Sequence, residues 1–173
     1  LQFKPNPSAS YIQSRKDTRW YQAGSDSYSS DSGVKVIRWS LSGAVSEFLD
    51  PQSTRVQLDV TNLGVLPLKP TTGPWGLFQR LSIRCLGTLV EDVNHYNFVH
   101  QIFFDGLSKE AKQREIDLGW GGSIDVAGGV ECEAIAPGET KTINMNLCSG
   151  FFSGQTKYLW LSAMLPQIEI ELA

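Results

Sequence analysis

Residues 74–96 read PWGLFQRLSIRCLGTLVEDVNHY, and the fold turns on how this stretch is divided. Leu81, Ile83 and Cys85 alternate with Arg80, Ser82 and Arg84. Period-two alternation predicts a half-buried strand, which Gly87 stops. Glu91 and Asp92 follow, then Val93, Tyr96, Val99 and Phe103 at roughly helical spacing, with Phe98 and Ile102 among them. That pattern predicts a helix whose first turn carries acids, where the helix dipole favours them. Gly106 ends it, and Ser108 is placed to cap a second, polar helix through Asp117. The helical insertion is thus expected over about residues 91–117.

On both sides of the insertion the chain reads as strands. Residues 34–41 are rich in β-branched and aromatic types, and residues 54–61 alternate, with Val56, Leu58 and Val60 opposite Arg55, Gln57 and Asp59. Pro67, Pro70, Gly73 and Pro74 mark a long irregular connection. Beyond the insertion, Gly119, Gly121, Gly122, Gly128 and Gly129 predict a flexible loop. Alternation returns with Ile143, Met145 and Leu147 inward and Thr142, Asn144 and Asn146 outward. The continuous run of residues 158–161 reads as a central strand, and Ile168, Ile170 and Leu172 oppose Glu169 and Glu171 in the last one. Seven or eight strands without a βαβ rhythm predict an all-β protein, two antiparallel sheets packed face to face.

Bulk composition sets the class. The chain has 173 residues, 41% hydrophobic and 19% charged. A single domain of this size buries about 70% of its unfolded surface and needs no staples. The charged fraction lies below the usual quarter or so, which suggests a surface partly covered by partners. A formal net charge of −3 argues against a dedicated nucleic-acid binder, which concentrates basic charge on one face. The one basic cluster, residues 15–19, is interrupted by Asp17. It reads as a solvated arm, with contact to nucleic acid or a neighbouring subunit as the alternative. Residues 1–33 are rich in Ser, Pro and Asp and bury too little apolar surface to offset their ordering entropy, so they are read as an N-terminal arm. Trp20, Tyr21, Tyr11 and Phe3 on it are candidates to dock on a partner. Residues 34–173 form the single domain. The first residue is Leu1 and the last strand ends the chain, so a processed chain or a piece of a longer one is expected. No run approaches ~18 apolar residues, so no membrane span is expected.

The sequence carries no catalytic constellation that can be named. His95 and His100, the only histidines, lack the i, i+4 spacing of a helical metal pair, and no HExxH occurs. No strand carries a histidine, which removes the metal-enzyme reading of a cupin. Neighbouring residues Glu91 and Asp92 point apart, unlike a glycosidase pair, and are read as dipole-stabilising acids. GxSxG, Walker and dinucleotide patterns are absent. Cys85, Cys132 and Cys148 form no CxxC pair; they are expected to stay reduced in an intracellular assembly setting, with Cys85 and Cys148 as small core residues. Trp75 and Trp120 beside loop acids would suit a sugar-binding groove, although tryptophans in a sandwich are more often core or interface anchors. No catalytic, cofactor or metal residue is assigned.

The order of segments adds a resemblance. WSLSGAVSEFLDP (39–51) leads into TRVQLDVTN (54–62), then PWGLFQRLSIRCLG (74–87), TLVEDVNHY (88–96), KYLWL (157–161) and LPQIEIEL (165–172). Over residues 34–173 this resembles the first jelly roll of the double jelly-roll major capsid proteins of virophages, polinton-like viruses and related eukaryotic double-stranded DNA viruses. The resemblance implies an eight-stranded antiparallel jelly-roll β-sandwich in a longer chain with a second roll, or a single-roll penton or minor capsid protein. It implies self-association into trimeric, pseudo-hexameric capsomers of an icosahedral virion, contact with neighbouring capsid proteins, no cofactor, no small-molecule substrate, and no enzymatic role. The alternative from the residues is a carbohydrate-binding β-sandwich. In the capsid reading the helix covers the sandwich through Val93, Tyr96, Val99 and Phe103, and burying Phe103 contributes roughly 2–3 kcal/mol.

Overall fold

A computed structural model describes residues 14–22, 24, 27–28, 35–125, 127–154 and 157–173. Among them the chain is mostly β-strand in antiparallel sheets, with three α-helices. The contacts divide it into two compact units.

One unit contains the described residues up to Thr54, with Leu81–Asp92 and Ser149–Leu172. Strand β1 (Val36–Ser40) lies antiparallel to β10 (Pro166–Leu172), pairing Ile37 with Ile170 and Trp39 with Ile168. All four side chains are buried, so one face of this ladder is apolar, as the alternation dictates. On the other face Glu169 of β10 sits opposite Arg38, whose Nε lies 2.8 Å from its carboxylate. The sheet continues through β4 (Phe78–Cys85) to β5 (Thr88–Asn94), in the order β1-β10-β4-β5. Ser82 is buried in β4 and donates to Glu169 at 3.4 Å. It therefore does not face solvent, its hydroxyl turning to Glu169 on the neighbouring strand. Strands β2 (Phe48–Leu49) and β9 (Leu159–Trp160) form a two-residue ladder, and α3 (Leu161–Met164) follows. The expected central strand at 158–161 is thus only a short rung that ends in a helical turn.

The opening stretch divides differently from its sequence reading. Leu86 and Gly87 both adopt left-handed backbone, φ 51° and 79°, as a two-residue primed hairpin turn requires. The chain therefore turns back as β5 through Asn94, and Glu91 and Asp92 are strand residues, not the first turn of a helix. His95, at φ 53° and ψ 46°, switches strand to helix, and α1 runs over Tyr96–Asp105. Ser108 caps α2 (Lys109–Gly119) as expected, its hydroxyl accepting from the Ala111 amide at 3.3 Å.

The second unit contains Arg55–Arg80 and Val93–Cys148, with Ala173. Strand β3 (Arg55–Thr61) pairs with β8 (Thr140–Asn146), bringing Val56 to Met145 and Leu58 to Ile143. The outward positions bond across the strands, Thr142 to Asp59 at 2.6 Å and Thr61 to Thr140 at 2.8 Å. The expected glycine-rich loop contains a hairpin, β6 (Gly122–Ile124) on β7 (Val130–Cys132). A side chain at Gly122 would meet the Glu131 carbonyl at 2.1 Å, so that glycine permits strand contact there. Trp120, Cys132, Ile135 and Ile143 form a buried cluster with Leu58, Val60, Leu77 and Val130 packed on it. Cys132 is the fully buried cysteine, while Cys85 and Cys148 are half-buried. Among the described residues ten strands are present where seven or eight were expected; β5 and the β6–β7 hairpin fall where a helix start and a loop were expected.

Candidate interaction surface

The built parts of the second unit begin at Trp75. Pro74 opens a 3-10 turn, and Trp75 folds back over Gly73, where any side chain would lie 2.2 Å from the indole. The indole NH donates to Gln101 Oε1 at 2.9 Å. His100 stacks on Trp75 at 4.3 Å and 16°, and Phe104 lies 4.6 Å from it. The Cys148 amide donates to Tyr96 Oη at 2.8 Å. Tyr96, His100 and Phe104 are thus the inward face of α1, four residues apart each time. Burial pushes His100 down to about pKa 4, with the backbone of Asn146 and of His100 itself opposing that shift.

This corrects the expected packing face. Phe103 is 64% exposed and does not reach the core. The inward stripe passes through a histidine, so counting only apolar residues put the helix one position out of phase.

The outward face of α1 is apolar as well. Phe98 and Ile102 are 67% and 71% exposed, Phe103 lies beside them, and Leu107 follows just beyond the helix. At 100° per residue, Phe98, Ile102, Val99 and Phe103 cover about 140° of the helix surface. The polar sector holds Asn97, Gln101 and Asp105 alone. Exposed apolar surface of this extent on one element is a candidate contact surface.

A second apolar projection lies on the loop after β3. Leu63, Val65 and Leu66 are 91%, 90% and 75% exposed. The loop is nevertheless held firmly. Buried Asn62 donates through Nδ2 to the carbonyls of Leu66 at 2.8 Å and Ile135 at 2.9 Å, and its Oδ1 accepts from the Gly64 amide at 3.0 Å. Its backbone exchanges bonds with Glu139 and Gly138, and Leu68 pairs with Ile135. A loop that orders its backbone while extending three apolar side chains into water is a second candidate contact surface.

Other candidates fall elsewhere. Trp75 and Trp120 are buried and bonded within the fold, Trp120 Nε1 donating to the Glu133 carbonyl at 2.8 Å. Neither can stack on a sugar. Trp160 is 44% exposed and stacks on Phe48 at 6.2 Å. Glu91 accepts from the Ser149 hydroxyl at 2.6 Å and from the amides of Gly150 and Phe151, each at 2.9 Å. It orders the 149–153 turn, a role that sequence order alone does not signal. His95 is exposed beside Gln79, 3.1 Å from it. Burial raises the thiol pKa of Cys85 and Cys132. On the arm, Lys16 pairs with Glu47 and Trp20 Nε1 donates to the Ser42 carbonyl at 3.0 Å, so this stretch lies on its own chain. Tyr11 and Phe3 fall outside the described residues. Among the described residues no set of three or more His, Cys, Asp or Glu side chains could hold a metal ion, and no helix is long and apolar enough to cross a membrane. In comparisons with known proteins, no family model and no curated protein matches the chain.

Proposed function

We propose that this chain is a structural capsid protein, one jelly roll of a major capsid protein that forms trimeric, pseudo-hexameric capsomers of an icosahedral virion. The reading wraps the antiparallel sheets as a jelly roll and treats α1 and α2 as the insertion between its strands. It assigns no catalytic residue, no cofactor and no small-molecule substrate. Its partners are copies of itself and neighbouring capsid proteins. The order of segments that resembles the capsid family motivates it. The observation that carries it is the ordered loop holding out Leu63, Val65 and Leu66, since exposed apolar side chains on a rigid frame serve association.

The test is assembly of the full-length gene product. Sedimentation velocity and electron microscopy are expected to show trimers, and Val65→Asp is expected to shift them at least tenfold toward the monomer while leaving the far-ultraviolet spectrum unchanged. Monomers at every concentration would refute the reading.

A further inference from the structure

We infer that α1 is an acid-released element of the second unit: protonation of His100 opens this helix, with the apolar sector it presents, before the β3–β8 ladder unfolds. The inference stands on the packing of α1 and holds whether or not the chain builds a capsid.

Tyr96, His100 and Phe104 are the side chains that fix α1 inward, and the middle one carries a proton site. Its ring stacks 4.3 Å from Trp75 and lies T-shaped against Tyr96 at 5.7 Å. This place holds the ring neutral. Protonation puts an N–H on both nitrogens, and Nδ1 has no hydrogen-bond partner in the interior. An indole face attracts a cation, but taking the charge out of water opposes it more strongly.

Among the described residues, no carboxylate on the elements packed around the ring is free to take up that charge. The 3-10 turn at Pro74–Leu77 brings no charged residue. On α1, Asp105 accepts from Gln101 Nε2 at 2.9 Å and lies 3.9 Å from Lys112 of α2. Lys112 sits 5.5 Å over the Phe104 ring, a positive charge already against the same stripe. Glu115 of α2 accepts from Asn146 Nδ2 at 3.0 Å, and Lys109, Glu110, Arg114 and Asp117 are exposed. On β8, Asn146 offers only its backbone, and Lys141 is paired with Glu133.

The release begins at α1 for a physical reason. A helix of ten residues is too short to hold itself in water, and no side chain caps its start. It depends on the inward stripe. Strands β3 and β8 contain no histidine. Their ladder runs from Arg55 to Thr61, with the Thr142–Asp59 and Thr61–Thr140 bonds across it.

The experiment is amide hydrogen exchange by mass spectrometry on the full-length product, at pH 7 and pH 5 and in urea below the unfolding transition. It compares wild type, His100→Phe and His100→Leu, each rate referred to the intrinsic rate at that pH. With α1 open the imidazole titrates near 6.5, and closed at about 4. Opening of wild-type α1 is therefore expected to rise about twentyfold from pH 7 to pH 5. Both variants, which cannot titrate there, are expected to stay level. At pH 5 the α1 amides of wild type are expected to exchange through an opening that urea barely affects, about tenfold more frequent than that of β3 and β8. If α1 and the ladder share one opening frequency and one urea slope, α1 leaves only when the unit unfolds and the inference is wrong. A wild-type rise that is absent, or that persists in either folded variant, overturns it as well.

Discussion

Acid is expected to destabilise this protein through His100. The imidazole is buried on Trp75, its Nδ1 has no hydrogen-bond partner, and its pKa falls from 6.5 to about 4. The unfolded chain takes up a proton near 6.5, while the folded chain refuses it until about 4. Between those values the unfolded state binds more protons, so stability drops as pH falls. The contribution is intact above the unfolded pKa and lost as pH falls through the folded one. Each pKa unit is worth 1.36 kcal/mol, so the whole effect is about 3 kcal/mol, of which about 2 kcal/mol is lost between pH 7 and pH 5. Glu47 and Glu110 also have lowered pKa values, Glu47 through Lys16 and Glu110 through its own backbone amide and Ser108. They add their losses at lower pH, below the ordinary carboxylate value of 4.5, which is why the upper window isolates the histidine. The assay is urea unfolding across that window for wild type and His100→Phe. Phenylalanine keeps the aromatic stack and cannot titrate, so the variant's slope between pH 7 and pH 5 should flatten. An unchanged slope would show that His100 is not the group responsible.

The phase of α1 can be checked directly. Phe104→Ala is expected to cost about 3–5 kcal/mol in denaturant unfolding and Phe103→Ala less than about 0.5 kcal/mol; the reverse order would mean the inward face is misassigned. Asn62→Ala removes three hydrogen bonds from the base of the apolar loop and should cost roughly 2–3 kcal/mol, with faster amide exchange at Gly64. Equal stability and unchanged exchange would mean the loop is not held by that side chain. Glu91→Ala removes the carboxylate that accepts from the Gly150 and Phe151 amides, the latter keeping Ser149 Oγ at 3.1 Å, and should cost about 2 kcal/mol, with exchange rising over residues 149–153 and not in β3 or β8.

Ladders were legible because their period is two. Val56, Leu58 and Val60 against Ile143 and Met145, and Ile168 and Ile170 against Ile37 and Trp39, alternate in the sequence as they do in the sheets. Boundaries were less so. A strand can run past acids, and Glu91 and Asp92 look the same in the middle of β5 as at a helix start. The partners of Glu91 lie nearly sixty residues away, at Ser149, Gly150 and Phe151, and local spacing carries no trace of that. Asn62 is similar. As a strand-ending asparagine it reads as a turn signal, and only its bond to Ile135 shows that it fastens two distant segments.

The outward face of α1 was partly readable for a different reason. A helix of ten residues on a protein surface needs one apolar stripe. Tyr96, Phe98, Val99, Ile102, Phe103 and Phe104 exceed what one stripe can hold, and only Asn97, His100, Gln101 and Asp105 interrupt them. The excess leaves apolar residues on a second face, but it could not say which residues belonged to which. That division is set where Tyr96 and Phe104 enter the core, with His100 and Phe104 both against Trp75 and Phe103 turned out. A polar residue on the inner stripe and aromatic residues on the outer one follow from the same phase. Replacing His100 with a larger apolar side chain would not bring Phe103 inward, because the helix phase is set by Tyr96 and Phe104 on either side of it.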